Sequence, residues 1–116
     1  MTDAWTRRCA HYRVPVMLRD ASLDGDPTES LKAAREYVDD GLVPGRALVL
    51  LGSTGLGKTY AALAVCQMLG DAWSFWYFPA WCSAMLDPER RKGALEDAHA
   101  DRLLVLDDFG AEYLKA

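Results

Sequence analysis

The residues with the clearest chemistry are Gly52-Ser53-Thr54-Gly55-Leu56-Gly57-Lys58-Thr59, a G-x-x-x-x-G-K-[ST] spacing that follows the apolar run Leu48-Val49-Leu50-Leu51. Such a spacing suits a chain of phosphates. Gly52, Gly55 and Gly57 lack the Cβ that stops a backbone from turning its N–H groups inward around an anion. The amides from Gly52 through Ser53, Thr54, Gly55, Leu56, Gly57, Lys58 and Thr59 to Tyr60 are the expected phosphate ligands. A helix beginning near Gly57 adds its positive end. Lys58 can reach the β- and γ-phosphates of a nucleotide, and the Thr59 hydroxyl can hold a magnesium ion. The plainer alternative is a glycine-rich hairpin turn with a chance lysine; an apolar strand before the glycines and helical composition after them favour the phosphate loop.

A second group of acids closes the run Leu103-Leu104-Val105-Leu106-Asp107-Asp108. Four apolar residues of a buried strand would push a carboxylate out at the carboxyl edge of a sheet. Asp107 is then placed to hold magnesium, directly or through water. Asp108 can orient a water for in-line attack on a γ-phosphate, with Lys58 and the metal neutralising charge. Its alternative role is a helix cap or a solvated acid.

These groups need a frame. Arg46 to Leu51 is apolar at consecutive rather than alternate positions, the pattern of a first strand covered on both faces. Thr59 to Leu69 reads as a helix apolar on most sides, stopped by Gly70. Ala72 to Phe78 is aromatic-rich and reads as a second strand, its rings serving the core rather than a base-stacking platform. Trp81 to Leu86 predicts a short helix. Asp87-Pro88-Glu89 starts another that runs to about Ala100, with Ala94, Leu95 and Ala98 inward. Arg102 to Asp107 is the third strand. Strands alternating with helices predict an α/β fold with right-handed crossovers and a parallel sheet.

Upstream, Met1 to Gly25 shows little periodicity and reads as an extended arm, lying against the rest because Val14, Val16, Met17 and Leu18 would otherwise meet water. Asp26 is the expected N-cap of the next helix, with Pro27 at its first position and Glu29 completing a capping box. Leu31, Ala34 and Tyr37 or Val38 form its apolar stripe, and Gly41 closes it. The 116 residues carry 51% hydrophobic and 26% charged side chains and a net charge of -4. An acidic balance gives no whole-surface attraction to nucleic acid, so DNA contact would need a local patch, for which Arg7-Arg8 with Arg13 and Arg90-Arg91-Lys92 are short candidates that also read as solvated faces. Cys9, Cys66 and Cys82 form no C-x-x-C pair, which fits reduced thiols in the cytoplasm. Cys9 and His11 supply only half of a metal site. The longest apolar run, Ala47 to Leu51, is too short to cross a bilayer.

Together the stretches Val14-Pro15-Val16-Met17-Leu18-Arg19-Asp20-Ala21-Ser22-Leu23, Gly52 to Thr59, and Leu103-Leu104-Val105-Leu106-Asp107-Asp108-Phe109-Gly110-Ala111-Glu112 resemble the ATPase core of DnaC-type helicase loaders and the related IstB transposition helpers, in the AAA+ class. The resemblance implies a P-loop three-layer αβα fold, ATP as nucleotide, a replicative helicase or a transposase as partner, single-stranded DNA as a further ligand, and self-assembly into a homo-oligomer. The family continues with a polar sensor residue on a further strand, an arginine finger and a lid. The expectation is therefore a C-terminally truncated, incomplete core, with residues 26–116 spanning Walker A to Walker B, that binds Mg-ATP far better than it hydrolyses it. The same residues leave room for a non-enzymatic interaction module. A GTPase fits the D-x-x-G of Asp107-Asp108-Phe109-Gly110, but no [NT]-K-x-D motif reads guanine, and a small-molecule kinase lacks an evident acceptor pocket.

Overall fold

The computed structural model describes residues 3–25, 28–42 and 56–107. Over these the chain runs α1 (Asp3–His11), a 3-10 turn (Val16–Leu18), α2 (Glu29–Asp39), α3 (Leu56–Leu69), β1 (Trp73–Tyr77), α4 (Phe78–Met85), α5 (Pro88–Ala100) and β2 (Leu103–Asp107). It divides into two compact units, Met1–Gly70 and Asp71–Ala116. The expected strand from Arg46 to Leu51 lies outside the described residues. Among the described residues no helix is long and apolar enough to cross a membrane.

In the first unit the expected extended arm is instead helical over Asp3–His11. Trp5 and Cys9, one helical turn apart, are both buried, and Asp3 at the start with Arg8 and His11 at the end suits the helix dipole. Two core residues in so polar a stretch are too few for a period to register; burial of the indole decides the conformation. Arg13 then turns the chain with a φ of 55°. Val14 and Leu18 are buried, whereas Val16 and Met17 are 78% and 69% exposed. The expected cover therefore reaches only half of that apolar set.

α2 starts later than its sequence signals, because its N-cap is Thr28 rather than Asp26: the Thr28 hydroxyl accepts the Leu31 N–H at 3.1 Å. Glu29 accordingly opens the first turn and does not complete a capping box. Leu31 and Ala34 are buried as the stripe requires. Gly41 closes the helix at a φ of +92°, its N–H donating to the Val38 carbonyl at 2.9 Å. α3 begins at Leu56, one residue before the start expected near Gly57, and packs against α2. Its residues Ala61, Leu63, Ala64, Val65 and Cys66 are all buried, and Gly70 ends it at a φ of +72°.

The second unit is a β-α-α-β arrangement. β1 and β2 pair in parallel, from Trp73 opposite Leu103 to Tyr77 opposite Asp107, so the expected α/β character and parallel pairing of these two strands are observed. Parallel neighbours need a long crossover, which α4 and α5 provide while packing on the strands. α4 starts at Phe78, not Trp81, because Pro79 is compatible with a helix's first turn. α5 starts as expected, with Asp87 accepting the Glu89 N–H at 3.1 Å. Ala94 is buried but Leu95 is 39% exposed; neighbouring helix positions point about 100° apart, and here the packed stripe is narrow enough to take Ala94 and leave Leu95 at its edge. β2 is half-buried along its length rather than enclosed, having one strand neighbour among the described residues. Trp76 meets Trp81 edge-on, with centroids 5.5 Å apart, so these two rings pack on each other.

Candidate functional site

α3 is a 14-residue helix whose first turn falls inside the glycine-rich motif. Leu56 begins it, Gly57 is exposed, and Lys58, Thr59 and Tyr60 are half-buried. Unlike α1, α2 and α5, it carries no acidic residue in its first turn. The partial positive charge of that end, about half an elementary charge, is thus not offset by the helix's own side chains. A Cβ built on Gly57 would meet nothing within 4 Å among the described residues. Packing among the described residues therefore does not demand glycine at this position.

Gly52, Ser53, Thr54 and Gly55 of the motif lie outside the described residues, as does Asp108. Asp107 is the last residue of β2, half-buried and in register with Tyr77 at the carboxyl end of the strand pair. The structure brings Gly57, Lys58, Thr59 and Tyr60 into one helical turn. Thr59 belongs to the first unit and Asp107 to the second. No family model, curated protein or solved structure matches this chain.

Tyr60 has a role the sequence does not announce. Its amide directly follows the motif, and its hydroxyl accepts the N–H of Ser22 at 3.1 Å, across a separation of 38 residues. No local pattern signals a contact at that range. The thiols are poor reagents by comparison. Burial raises the Cys66 pKa far above the usual thiol value, and neighbouring Cys9 pushes it the same way. Burial likewise raises Cys9, partly opposed by the Arg19 guanidinium. Both cysteines are fully buried and, with half-buried Cys82, unbridged; thiols held protonated in this way are inert. Among the described residues no three His, Cys, Asp or Glu side chains converge on a common point.

Proposed function

We propose that this chain is the ATP-binding P-loop module of a DnaC-like helicase loader acting in DNA replication, taking up Mg-ATP and hydrolysing it slowly or not at all by itself. One observation carries the reading: the helix that follows the glycine-rich segment starts at Leu56, which sets Gly57, Lys58 and Thr59 in its first turn. In that setting the backbone amides bind phosphate oxygens and the Lys58 ammonium neutralises the terminal phosphates. The Thr59 hydroxyl and, separately, the Asp107 carboxylate are hard oxygen donors of the kind magnesium prefers, and each is proposed as a magnesium ligand. Magnesium supplies charge neutralisation along the phosphates when bound. Asp107, ending a strand of a parallel pair, fits the Walker B role, and Asp108 orients water.

Titration of the full chain with a fluorescent ATP analogue, with magnesium and with a chelator, tests the reading. Saturable binding is expected, competed by ATP more strongly than by GTP. Lys58→Ala removes hydrogen bonds to a charged partner, about 1.5–3 kcal/mol, so affinity is expected to fall roughly 10- to 100-fold in both conditions. Asp107→Asn is expected to remove only the magnesium-dependent part. Absence of binding at millimolar Mg-ATP would sink the proposal.

A further inference from the structure

The segment between the 3-10 turn and α2 is held to the first turn of α3 more closely than packing alone demands. The Ser22 N–H donates to the Tyr60 hydroxyl at 3.1 Å. A Cβ on Gly25 would lie 2.5 Å from that same oxygen, 3.2 Å from the ring carbon bearing it and 3.2 Å from the Ser22 carbonyl oxygen, so a side chain there would force the phenol and the loop to part. From the α2 side Arg35 donates through Nε to the Leu23 carbonyl at 2.5 Å and through Nη2 to the Gly25 carbonyl at 3.0 Å. Inside the loop, the Gly25 N–H reaches the Ser22 carbonyl at 3.1 Å and the Asp24 N–H the Ser22 hydroxyl at 3.1 Å. The loop is thus a stiff piece clasped between a tyrosine and an arginine.

Its other end is anchored too. Ala21 and Leu18 are buried, the Trp5 indole N–H donates to the Arg19 carbonyl at 2.8 Å, and Arg19 Nε donates to the Val14 carbonyl at 2.9 Å. An unbroken chain of contacts therefore runs from α1 through residues 14–25 to Tyr60, the residue after Thr59. We infer that Tyr60 is a positioning residue through which a nucleotide at the phosphate loop and docking of the N-terminal segment reinforce each other. This rests on the nucleotide reading above. The coupling follows from position: a ligand that orders the turn carrying Gly57, Lys58 and Thr59 also orders the platform under residues 22–25. By thermodynamic reciprocity, undocking those residues weakens the ligand by the same factor.

The test uses the full chain with Mg-ATP as probe, comparing wild type, Tyr60→Phe, Gly25→Ala and the double variant. Amide exchange over residues 20–25 and nucleotide affinity are measured at a temperature where circular dichroism shows every variant folded. Saturating Mg-ATP is expected to slow exchange over that segment in the wild type. Gly25→Ala, which drives the loop off the phenol, is expected to abolish that slowing and to weaken binding about fivefold or more. Tyr60→Phe keeps the ring, loses the acceptor and is expected to weaken binding by a smaller factor. Adding Gly25→Ala to Tyr60→Phe is expected to cost less than it does alone, because the oxygen it strikes is gone. A purely structural contact would lower stability in all variants yet leave the nucleotide-dependent change in exchange intact. That result, or wild-type affinity in both single variants, overturns the coupling. Should Gly25→Ala not fold, the exchange and affinity of Tyr60→Phe decide alone. A wild type that binds no Mg-ATP fails the nucleotide reading and the coupling with it; one that binds without altered exchange at 20–25 fails the coupling only.

Discussion

Replacing Ser74 by alanine asks whether the start of the strand pair is held by a specific bond or by shape. Ser74 is fully buried in β1, and its hydroxyl donates to the carboxylate of Asp101, the C-cap of α5. Beside it the Arg102 N–H reaches the Ala72 carbonyl at 2.9 Å, so these contacts together set where β2 begins against β1. A hydrogen bond to a charged group contributes about 1.5–3 kcal/mol net. Asp101 is half-buried, and water can replace part of the lost donor, which brings the expected loss for Ser74→Ala to about 1–2 kcal/mol. In a domain near 100 residues that lowers the melting temperature by roughly 4–16 °C, at about 4–8 °C for each kcal/mol. Urea unfolding followed by circular dichroism is the assay, and a lowered midpoint with an unchanged m-value identifies a loss of stability without a change in the surface exposed on unfolding. The bond matters beyond stability, since a one-residue slip would turn Asp107 to the opposite face. A loss below about 0.5 kcal/mol, the usual range for an inconsequential surface change, would refute the assignment.

The buried thiols predict an alkaline weakness. Because Cys66 ionises far less readily in the folded chain than at its ordinary value of 9.0, the unfolded state alone releases its proton above that pH. Its contribution to stability is then whole below pH 9.0 and declines above it, by about 1.4 kcal/mol per pH unit. Chemical denaturation from neutral to alkaline pH is expected to show a shallower decline for Cys66→Ala than for wild type, and parallel declines would contradict it. At the start of α2, Thr28→Ala is expected to cost about 1 kcal/mol and Thr28→Ser much less, as read by thermal melts; equal effects would remove the cap. Gly70→Ala puts a Cβ at a φ of +72° and is expected to cost about 1–2 kcal/mol, with a neutral result in the same melts counting against the left-handed turn.

Elements whose signals are local were legible in the sequence. Asp87-Pro88 marks the start of α5, and Gly41 and Gly70 mark the ends of α2 and α3, because capping and left-handed backbone depend on the residue itself. The aromatic and aliphatic runs gave β1 and β2, and the alternation of strands with helices gave their parallel pairing. Legibility failed where burial outweighs pattern. α1 offers two apolar residues in a polar helix, and the choice of Thr28 over Asp26 rests on which oxygen reaches a free amide, a matter of backbone direction. Leu95 misled for a related reason, since the packed stripe of α5 takes Ala94 and leaves Leu95 39% exposed, a choice set by the neighbours rather than by apolar character.

The candidate site divides along the same line, and the division says what kind of information each half carries. Glycines and a Lys-Thr pair declare themselves in sequence because any backbone that wraps phosphate needs them, whatever surrounds it. Tyr60, Ser22, Gly25 and Arg35 declare nothing, because each is ordinary in its own stretch and acquires meaning only from a partner brought close by folding. Gly25 shows the difference most sharply. Its sequence context, Asp24-Gly25-Asp26, reads as a turn in which glycine supplies conformational freedom. In the fold, a phenolic oxygen occupies the place where a side chain would be. Substitution there consequently tests an approach between two segments rather than the freedom of one, and relief of the defect by Tyr60→Phe is the behaviour that only the first explanation requires.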